Sequence, residues 1–438
     1  MNNLFMFVGL LVVLCCSNAA GFFLHPSYTF SGIVTSLLAS DTENTSSCAA
    51  AESEGANLAS PSIWEEAEAM LSVALLTYTY ASIRDYARKN PGKVKGEGVI
   101  LNDEPATGKD IYGFVLDNAD IISKNKEFSE FEYNQFQALL GMGKSKNLMG
   151  QSEDMTNKKV AVFNDKYPRH SVYGIALNKH DKRITLSFRG THTFSDDIDD
   201  VKASGAKVKN PLYKATTNQE PYFNIHQGFY DCLFKDKEGG VNGKIKFQVI
   251  MDQLIQLKAE NPDYRIYITG HSLGAALATL FAFFASTPEY SGVLSPFPVT
   301  CISIASPLVG DDDWRNAFML QEKLGRIRHL RISNFGDVVP KVPIVALDLP
   351  TFTFKHVGVH LQLYEDKPHR FSYPSEGNTP LIDKKEDRLG IIKPSEALVL
   401  HGCDKYYNRL KNSKEVLEKL GLDDFYRNEL FVGNYGNV

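Results

Sequence analysis

Short apolar runs and longer amphipathic segments alternate along the second half of the chain, from residue 171 onward. The short runs are rich in Val, Ile and Phe, as strands are, whereas apolar residues in the longer segments recur at helical spacing. The pattern predicts strands at residues 172–177, 184–188, 264–269, 299–305 and 327–332, an extended pair at 352–364, and helices at 244–259, 275–285, 311–324 and most of 393–420. Strands that alternate with helices form a mostly parallel, doubly wound sheet with helices on both faces, so we predict the α/β fold class.

The region before this alternation carries a different signal. Ser62 and Glu65 have the spacing of a capping box, and apolar residues then recur at helical spacing until Asn90-Pro91-Gly92 ends the helix. We therefore interpret residues 62–165 as an N-terminal helical extension and residues 166–438 as the main domain.

The first residues resemble a targeting signal. Residues 4–16 form an apolar run that is too short to span a bilayer comfortably, and residues 17–19 supply small side chains for cleavage. We predict a signal peptide at residues 1–20, and hence secretion or delivery to the lumen of a secretory organelle; a retained membrane anchor is the alternative. Residues 21–61 are rich in Ser, Thr and Ala, and we expect a poorly ordered linker or propeptide there.

The overall composition narrows the range of functions. The formal net charge is only −5, and 43% of the residues are hydrophobic, enough for a sizeable core. A weakly acidic chain without a dense Lys/Arg cluster is not expected to bind nucleic acid. The sequence contains no zinc-ligand spacing, calcium loop or phosphate-binding glycine loop, so we predict no metal and no cofactor.

Four cysteines follow the predicted cleavage site: Cys48, Cys232, Cys301 and Cys403. An even number in an exported chain permits one or two disulfides, but the spacing does not choose among the possible pairings. Cys301 lies within an apolar run and is equally compatible with a buried free thiol.

The most informative segment is Gly270-His271-Ser272-Leu273-Gly274, which stands between a predicted strand and a predicted helix. This G-x-S-x-G pattern is typical of a nucleophile elbow, in which a serine occupies a tight, strained turn. Side chains at Gly270 or Gly274 would collide with the adjoining strand and helix. The turn would expose the Ser272 hydroxyl, and a glycine-rich turn with a solvated serine is the alternative.

A serine nucleophile needs a base and a carboxylate that orients the base. In this fold class the carboxylate and then the histidine follow the serine along the chain. Asp337 lies just beyond a predicted strand, where α/β sites are built, 65 residues after Ser272 (337 − 272). His401 follows Asp337 by 64 residues (401 − 337), and we choose it as the base; His356, in a strand-like stretch, is the alternative.

The oxyanion that forms during ester cleavage needs two backbone N–H donors. One is expected from Leu273, the residue after the nucleophile, and the other from an earlier junction between strand and loop. Gly190 and Thr191 form such a junction: the glycine permits close approach, and the threonine hydroxyl can reinforce its own N–H. Taken alone, this segment would favour an ordinary Gly-Thr turn.

Together these segments resemble the class 3 lipases, the family of the fungal triacylglycerol lipases. Five motifs match in order: Phe188-Arg189-Gly190-Thr191, Ile225-His226-Gln227-Gly228-Phe229, Gly270-His271-Ser272-Leu273-Gly274, Ser306-Pro307-Leu308-Val309-Gly310 and Asp337-Val338-Val339-Pro340. Five ordered motifs are far more specific than any single one. The resemblance implies an α/β-hydrolase fold, with residues 166–438 as the lipase catalytic domain.

The resemblance also implies roles for individual residues. Ser272 would be the nucleophile, Asp337 the acid of the triad and His401 the base. Thr191 would be an oxyanion residue whose hydroxyl is oriented by Asp200. His226 would be structural, and His356 falls where the family has a histidine without a catalytic role.

The function implied is the hydrolysis of carboxylic esters through an acyl-enzyme, most directly the release of fatty acids from triacylglycerols or diacylglycerols. Such substrates imply transient contact with a membrane or a lipid droplet. The alternatives on the same fold are a phospholipase A1, a galactolipase or a feruloyl-type esterase. A non-catalytic interaction protein that retains the lipase scaffold is a further alternative, which the presence of all three triad candidates disfavours.

Overall fold

The computed structural model describes residues 60–101, 117–124, 133–138, 158–165, 172–190, 204–214, 219–235, 243–342, 354–366, 369–373 and 399–427. The helices are α1 (Ile63–Lys89), α2 (Glu97–Leu101), α3 (Ala119–Lys124), α4 (Gln227–Tyr230), α5 (Lys246–Glu260), α6 (Leu273–Ala285), α7 (Pro288–Leu294), α8 (Asp312–Lys323), α9 (Cys403–Asn412), α10 (Lys414–Leu417) and α11 (Leu422–Arg427). The strands are β1 (Lys158–Asn164), β2 (Tyr173–Asn178), β3 (Arg183–Phe188), β4 (Gly205–Lys209), β5 (Tyr222–His226), β6 (Arg265–His271), β7 (Val299–Ile304), β8 (Ile327–Asn334), β9 (Val359–Leu363) and β10 (Arg370–Ser372). The predicted signal peptide and all but the last two residues of the predicted linker lie outside the described residues, and none of the described helices is long and apolar enough to cross a bilayer.

Eight strands form one sheet in the order β1-β2-β3-β6-β7-β8-β9-β10, and β4 and β5 pair separately as a two-stranded ribbon. Strands β3, β6, β7, β8 and β9 are parallel to one another. The edge strands β1 and β10, and β2 next to β1, pair antiparallel with their neighbours. Because the central strands are parallel, their carboxyl ends share one edge of the sheet, and Gly190, Ser272 and Asp337 follow the ends of β3, β6 and β8.

Apolar side chains cover both faces of this sheet. One cluster joins α1 and the C-terminal helices α9, α10 and α11 to the sheet, and the other joins α5, α6 and α8 to its opposite face. Strands β3, β7 and β8 are buried along their whole length, as expected for strands with helices on both sides. The predicted α/β-hydrolase class, with a mostly parallel, doubly wound sheet, is confirmed.

Helix α1 is part of this core. Of its 27 residues, 23 are buried, far more than the single stripe that a surface helix buries. Near its start, Glu66 Oε1 accepts a hydrogen bond from the Tyr267 hydroxyl in β6 at 2.6 Å. Further along, the Tyr78 hydroxyl lies 3.2 Å from His271 Nδ1 at the end of β6. The helix therefore runs beside β6 towards the carboxyl edge; the boundary placed at residue 165 stays a prediction.

The predicted strands and helices between residues 172 and 332 are present with ends within two residues of those expected. For the extended pair predicted at 352–364, the described residues 354–364 contain one strand, β9, which pairs with β8 and β10, and an isolated antiparallel bridge between Lys355 and Gly310. The chain bends just before β9 at Gly358, whose φ of +81° suits glycine. Strand β1 and the β4–β5 ribbon were not predicted, because short, charged strands carry little periodic signal.

Cys301 is a free thiol that lies fully buried in β7. Of the two alternatives open for this residue, the buried thiol is therefore the one found. Burial raises the pKa of the thiol, so that it stays protonated and unreactive at neutral pH. Cys48 lies outside the described residues, and no pairing is assigned to it.

A buried carboxyl on α8 should make the stability of the fold depend on pH. Glu322 is only 4% exposed and accepts hydrogen bonds from the hydroxyls of Tyr426 at 2.8 Å and Tyr373 at 3.2 Å. Burial raises its pKa from 4.5 to about 8. Between these two values the folded chain binds more protons at this site than the unfolded chain, so stability should fall as pH rises.

Replacing Glu322 with glutamine removes this titration while nearly preserving the shape of the side chain. As pH rises from 5 to 8, we expect the free energy of unfolding of Glu322→Gln to increase relative to that of the wild type, by at most ~4 kcal/mol. Urea unfolding at several pH values measures the difference, with Glu260→Gln, at an exposed carboxylate, as control. Parallel pH profiles for wild type and Glu322→Gln would contradict the assignment.

Candidate active site

Ser272 occupies a strained turn between β6 and α6. Its φ of +59° and ψ of −131° lie in a region that side chains other than glycine rarely adopt. The turn is held by hydrogen bonds, since the Ser272 N–H donates to the Ile304 carbonyl at 3.0 Å and the Ser272 carbonyl accepts from Ala275 N–H at 2.9 Å. The geometry is that of a nucleophile elbow, as the G-x-S-x-G pattern predicts.

The elbow glycines are required by close backbone contacts. A Cβ on Gly270 would overlap the carbonyl of Gly274 at the start of α6, and a Cβ on Gly274 would overlap the carbonyl of Phe188 at the end of β3. A Cβ on Gly190 would lie 2.6 Å from the His271 carbonyl oxygen and 3.1 Å from the Ser272 Cβ. The segment after β3, predicted to supply an oxyanion donor, therefore lies directly against the elbow.

Asp337 follows β8 and is fully enclosed, with 1% of its surface exposed. Its Oδ1 accepts the Val339 N–H at 3.0 Å. Its Oδ2 accepts the Tyr406 hydroxyl at 2.7 Å and lies 2.9 Å from Nδ1 of His401. A buried carboxylate needs several donors to offset its desolvation, and these three hold both oxygens in one orientation.

His401 lies between this carboxylate and the elbow. Its Nδ1 faces Asp337, so the hydrogen bond at 2.9 Å places the ring proton on Nδ1 and leaves Nε2 as the base. Its backbone carbonyl lies 2.8 Å from Nε2 of His271, the residue before Ser272, and the two imidazole rings are 4.5 Å apart between centroids. The structure thus brings together Ser272, Asp337 and His401 from three distant segments.

The other histidines considered for the site have different surroundings. His356 is buried, and its Nε2 lies 2.7 Å from the Pro340 carbonyl, the group to which it donates. Burial lowers the pKa of His356 well below its ordinary value. His226 is packed between the rings of Phe229 and Phe354, and burial lowers its pKa to about 4. Both remain neutral at physiological pH.

The oxyanion site is only partly described. Leu273 is the first residue of α6, so its N–H has no acceptor within the helix and lies at the positive end of the helix dipole. Thr191 and Asp200 lie outside the described residues, and their predicted roles stay predictions. Gly190, the last described residue before Thr191, contacts the elbow as noted above.

Two tyrosines at the site were not found from the sequence. Tyr406 lies one turn into α9, where it donates to Asp337 and accepts the Asn334 N–H at 3.0 Å. Tyr78 reaches His271 from α1, a helix remote in sequence. Helical periodicity marks both tyrosines as inward-facing, but it does not say which group each one meets. In the part of the chain that the structure describes, no cluster of three or more His, Cys, Asp or Glu side chains is arranged to hold a metal ion.

Residues 185–347 match the family model described as Lipase (class 3). The matched stretch contains all five motifs, together with Ser272 and Asp337, and it ends before His401. The resemblance inferred from the motifs is therefore confirmed for this part of the chain.

Plant phospholipases match a similar share of the sequence. Phospholipase A1-II 3 of Oryza sativa subsp. indica is 33% identical over 199 residues, which cover 43% of this chain and 44% of the relative. Phospholipase A1-IIgamma of Arabidopsis thaliana is 39% identical over 168 residues, covering 36% and 38%. The chain thus spans less than half the length of these relatives. Among solved structures, lipase II from Rhizopus niveus is 21% identical, with a TM-score of 0.40 over 56% of this chain and 79% of that one.

Proposed function

We propose that this chain is a serine hydrolase that releases fatty acids from polar glycerolipids, as a phospholipase A1 does. The observation that carries the proposal is the hydrogen bond between Asp337 and His401, beside the strained Ser272 elbow. The names of the plant relatives support a phospholipid substrate, which was an alternative in the sequence analysis. Triacylglycerols and diacylglycerols, the first expectation, are the second candidate because the five motifs are shared with the fungal triacylglycerol lipases.

The first half of the reaction transfers the acyl group to the enzyme. Nε2 of His401 accepts the proton of Ser272 while Oγ attacks the ester carbonyl carbon. The carbonyl π electrons move onto oxygen, and the Leu273 N–H, with a second donor expected at Thr191, stabilises the resulting oxyanion. When the tetrahedral intermediate collapses, His401 gives its proton to the departing alkoxide, and an acyl-enzyme and a lysolipid remain.

The second half releases the fatty acid. His401 accepts a proton from water, whose oxygen attacks the acyl-enzyme carbonyl, and the proton then returns to Ser272 as the ester bond breaks. The Asp337 carboxylate orients the His401 ring and stabilises the imidazolium that forms twice in the cycle. No redox step occurs, so the residues above suffice, and the substrate would be drawn from a membrane or lipid-droplet surface.

A probe-labelling and substrate experiment tests the proposal. We expect a fluorophosphonate probe to label the wild-type chain and not Ser272→Ala. Phosphatidylcholine vesicles with distinguishable acyl chains should release the sn-1 fatty acid at least ten times faster than trioleoylglycerol emulsions release theirs, a preference of ~1.4 kcal/mol in transition-state binding. Galactolipid vesicles, a feruloyl ester and p-nitrophenyl butyrate complete the panel.

The outcomes separate the candidates. Faster release from trioleoylglycerol would indicate an acylglycerol lipase, and preference for galactolipid or the feruloyl ester would favour those alternatives. A wild-type chain that is folded by circular dichroism but is not labelled, and cleaves none of the esters, would instead favour the non-catalytic scaffold.

A further inference from the structure

One buried hydroxyl connects three segments of the candidate site. Tyr78 is 2% exposed, and its Oη lies 3.2 Å from Nδ1 and 3.4 Å from the carbonyl oxygen of His271. The backbone N–H of Gly190 donates to the same oxygen, and a Cβ on Gly190 would overlap it. The hydroxyl thus meets both the segment after β3 and the residue that precedes Ser272.

His271 extends this contact to the proposed base. Its Nε2 lies 2.8 Å from the backbone carbonyl of His401. A carbonyl can only accept, so Nε2 must carry the proton. Burial lowers the pKa of His271 well below its ordinary value, and the neutral ring therefore has a bare Nδ1.

The remaining proton follows from the first. A bare Nδ1 can only accept, and at 3.2 Å it is nearer to the Tyr78 hydroxyl than the His271 carbonyl oxygen at 3.4 Å, so the Tyr78 O–H donates to Nδ1. Burial raises the Tyr78 pKa, so that the hydroxyl keeps its proton. The arrangement is self-consistent: Gly190 N–H donates to Tyr78, Tyr78 donates to His271, and His271 donates to the His401 carbonyl. Tyr78 accepts and donates at its single oxygen, and His271 accepts at Nδ1 and donates at Nε2.

We propose that Tyr78 is a positioning residue, which together with the His401 carbonyl fixes the tautomer of His271 and, through it, the backbone of His401 relative to Ser272. Without the hydroxyl, the buried Nδ1 of His271 has lost the Tyr78 donor that favours this tautomer. The alternative tautomer would present a lone pair to the His401 carbonyl and give up that hydrogen bond. This inference rests on the proposed function, because it assigns a role in presenting the base to the nucleophile.

Replacing Tyr78 with phenylalanine removes only the hydroxyl. We expect kcat on p-nitrophenyl butyrate to fall ~10- to 100-fold with KM changed less than about two-fold, because misplaced catalytic groups slow the chemical step without weakening substrate binding. Tyr80→Phe is the matched control: Tyr80 lies on the same helix and is 2% exposed, but its hydroxyl contacts Arg84. It should retain wild-type kcat.

Two further measurements test whether Tyr78 acts through His271. In ¹⁵N-histidine NMR spectra of the wild-type chain, assigned by comparison with His271→Gln, His271 should be the neutral tautomer protonated at Nε2. If Tyr78 acts through His271, adding Tyr78→Phe to His271→Gln should lower kcat no further, and the two effects should not add.

The results decide the inference even if Tyr78→Phe fails to fold. A charged or Nδ1-protonated His271 in the wild-type chain would overturn it, as would a folded Tyr78→Phe with wild-type kcat or two effects that add in the double variant. A wild-type chain that is neither labelled by fluorophosphonate nor active on any ester would instead refute the proposed function. The His271 tautomer would still be measurable in that case.

Discussion

Replacing His401 with alanine should lower kcat about as severely as replacing Ser272, up to ~10⁶-fold, because members of a catalytic triad act as a unit. His401 is the imidazole that is hydrogen-bonded to Asp337 and lies beside the elbow, so its removal takes away the group proposed to accept the Ser272 proton. Steady-state hydrolysis of p-nitrophenyl butyrate and the rate of fluorophosphonate labelling measure the loss. His401→Ala combined with Ser272→Ala should be little worse than either alone.

The matched comparison for this prediction is His356→Gln. His356 was the alternative base, and its Nε2 lies 2.7 Å from the Pro340 carbonyl. Glutamine can preserve that donor, so kcat should stay within about three-fold of the wild type while stability changes modestly. If His356→Gln were inactive and His401→Ala nearly as active as the wild type, the assignment of the base would be wrong.

Replacing Asp337 with asparagine should lower kcat by ~10⁴-fold. The variant keeps the shape of the side chain but removes the charge that stabilises the imidazolium of His401. Whichever way the amide points, its NH₂ group faces a donor: the Val339 N–H on one side, or the Tyr406 O–H and His401 Nδ1–H on the other. Values of kcat and KM measured separately should show the loss in kcat.

An exposed carboxylate supplies the control for this substitution. Asp263 forms a surface ion pair with Lys182, and its side chain is 54% exposed. Asp263→Asn should leave kcat and KM unchanged. A folded Asp337→Asn variant with more than a tenth of wild-type kcat would mean that the carboxylate is not the orienting acid of the site.

Residues adjacent along the chain were sufficient to predict the elbow. The tight turn at Ser272, with φ +59°, leaves no room for side chains at positions 270 and 274. The sequence shows this directly, because both positions are glycine. The spacing of buried apolar residues likewise predicted the central strands and helices, because a strand that helices cover on both faces contains few polar residues. The edge strand β1 and the β4–β5 ribbon were not predicted, since each strand is short and mixes apolar residues with Lys, Gly, Asn or His.

The sequence did not determine which lipid head group the site selects. The elbow and triad motifs are common to lipases that act on different glycerolipids, so the motifs predict ester hydrolysis without naming the alcohol that leaves. The first expectation was acylglycerol, whereas the relatives carry the names of phospholipases A1. Head-group selectivity depends on the side chains that line the substrate-binding surface. The spacing of those side chains along the chain follows no common pattern.

By itself, the sequence determined the central strands and helices, the parallel order implied by their alternation, and the strained turn at Ser272, because each depends on residues adjacent along the chain. Only the tertiary structure decided that His401, rather than His356, lies against Asp337, and that the Tyr406 hydroxyl also donates a hydrogen bond to that carboxylate. Only the tertiary structure revealed that Tyr78, nearly 200 residues before the elbow, reaches His271. These contacts depend on how separate elements pack across the sheet, and no local pattern records the partner that an inward-facing polar group meets.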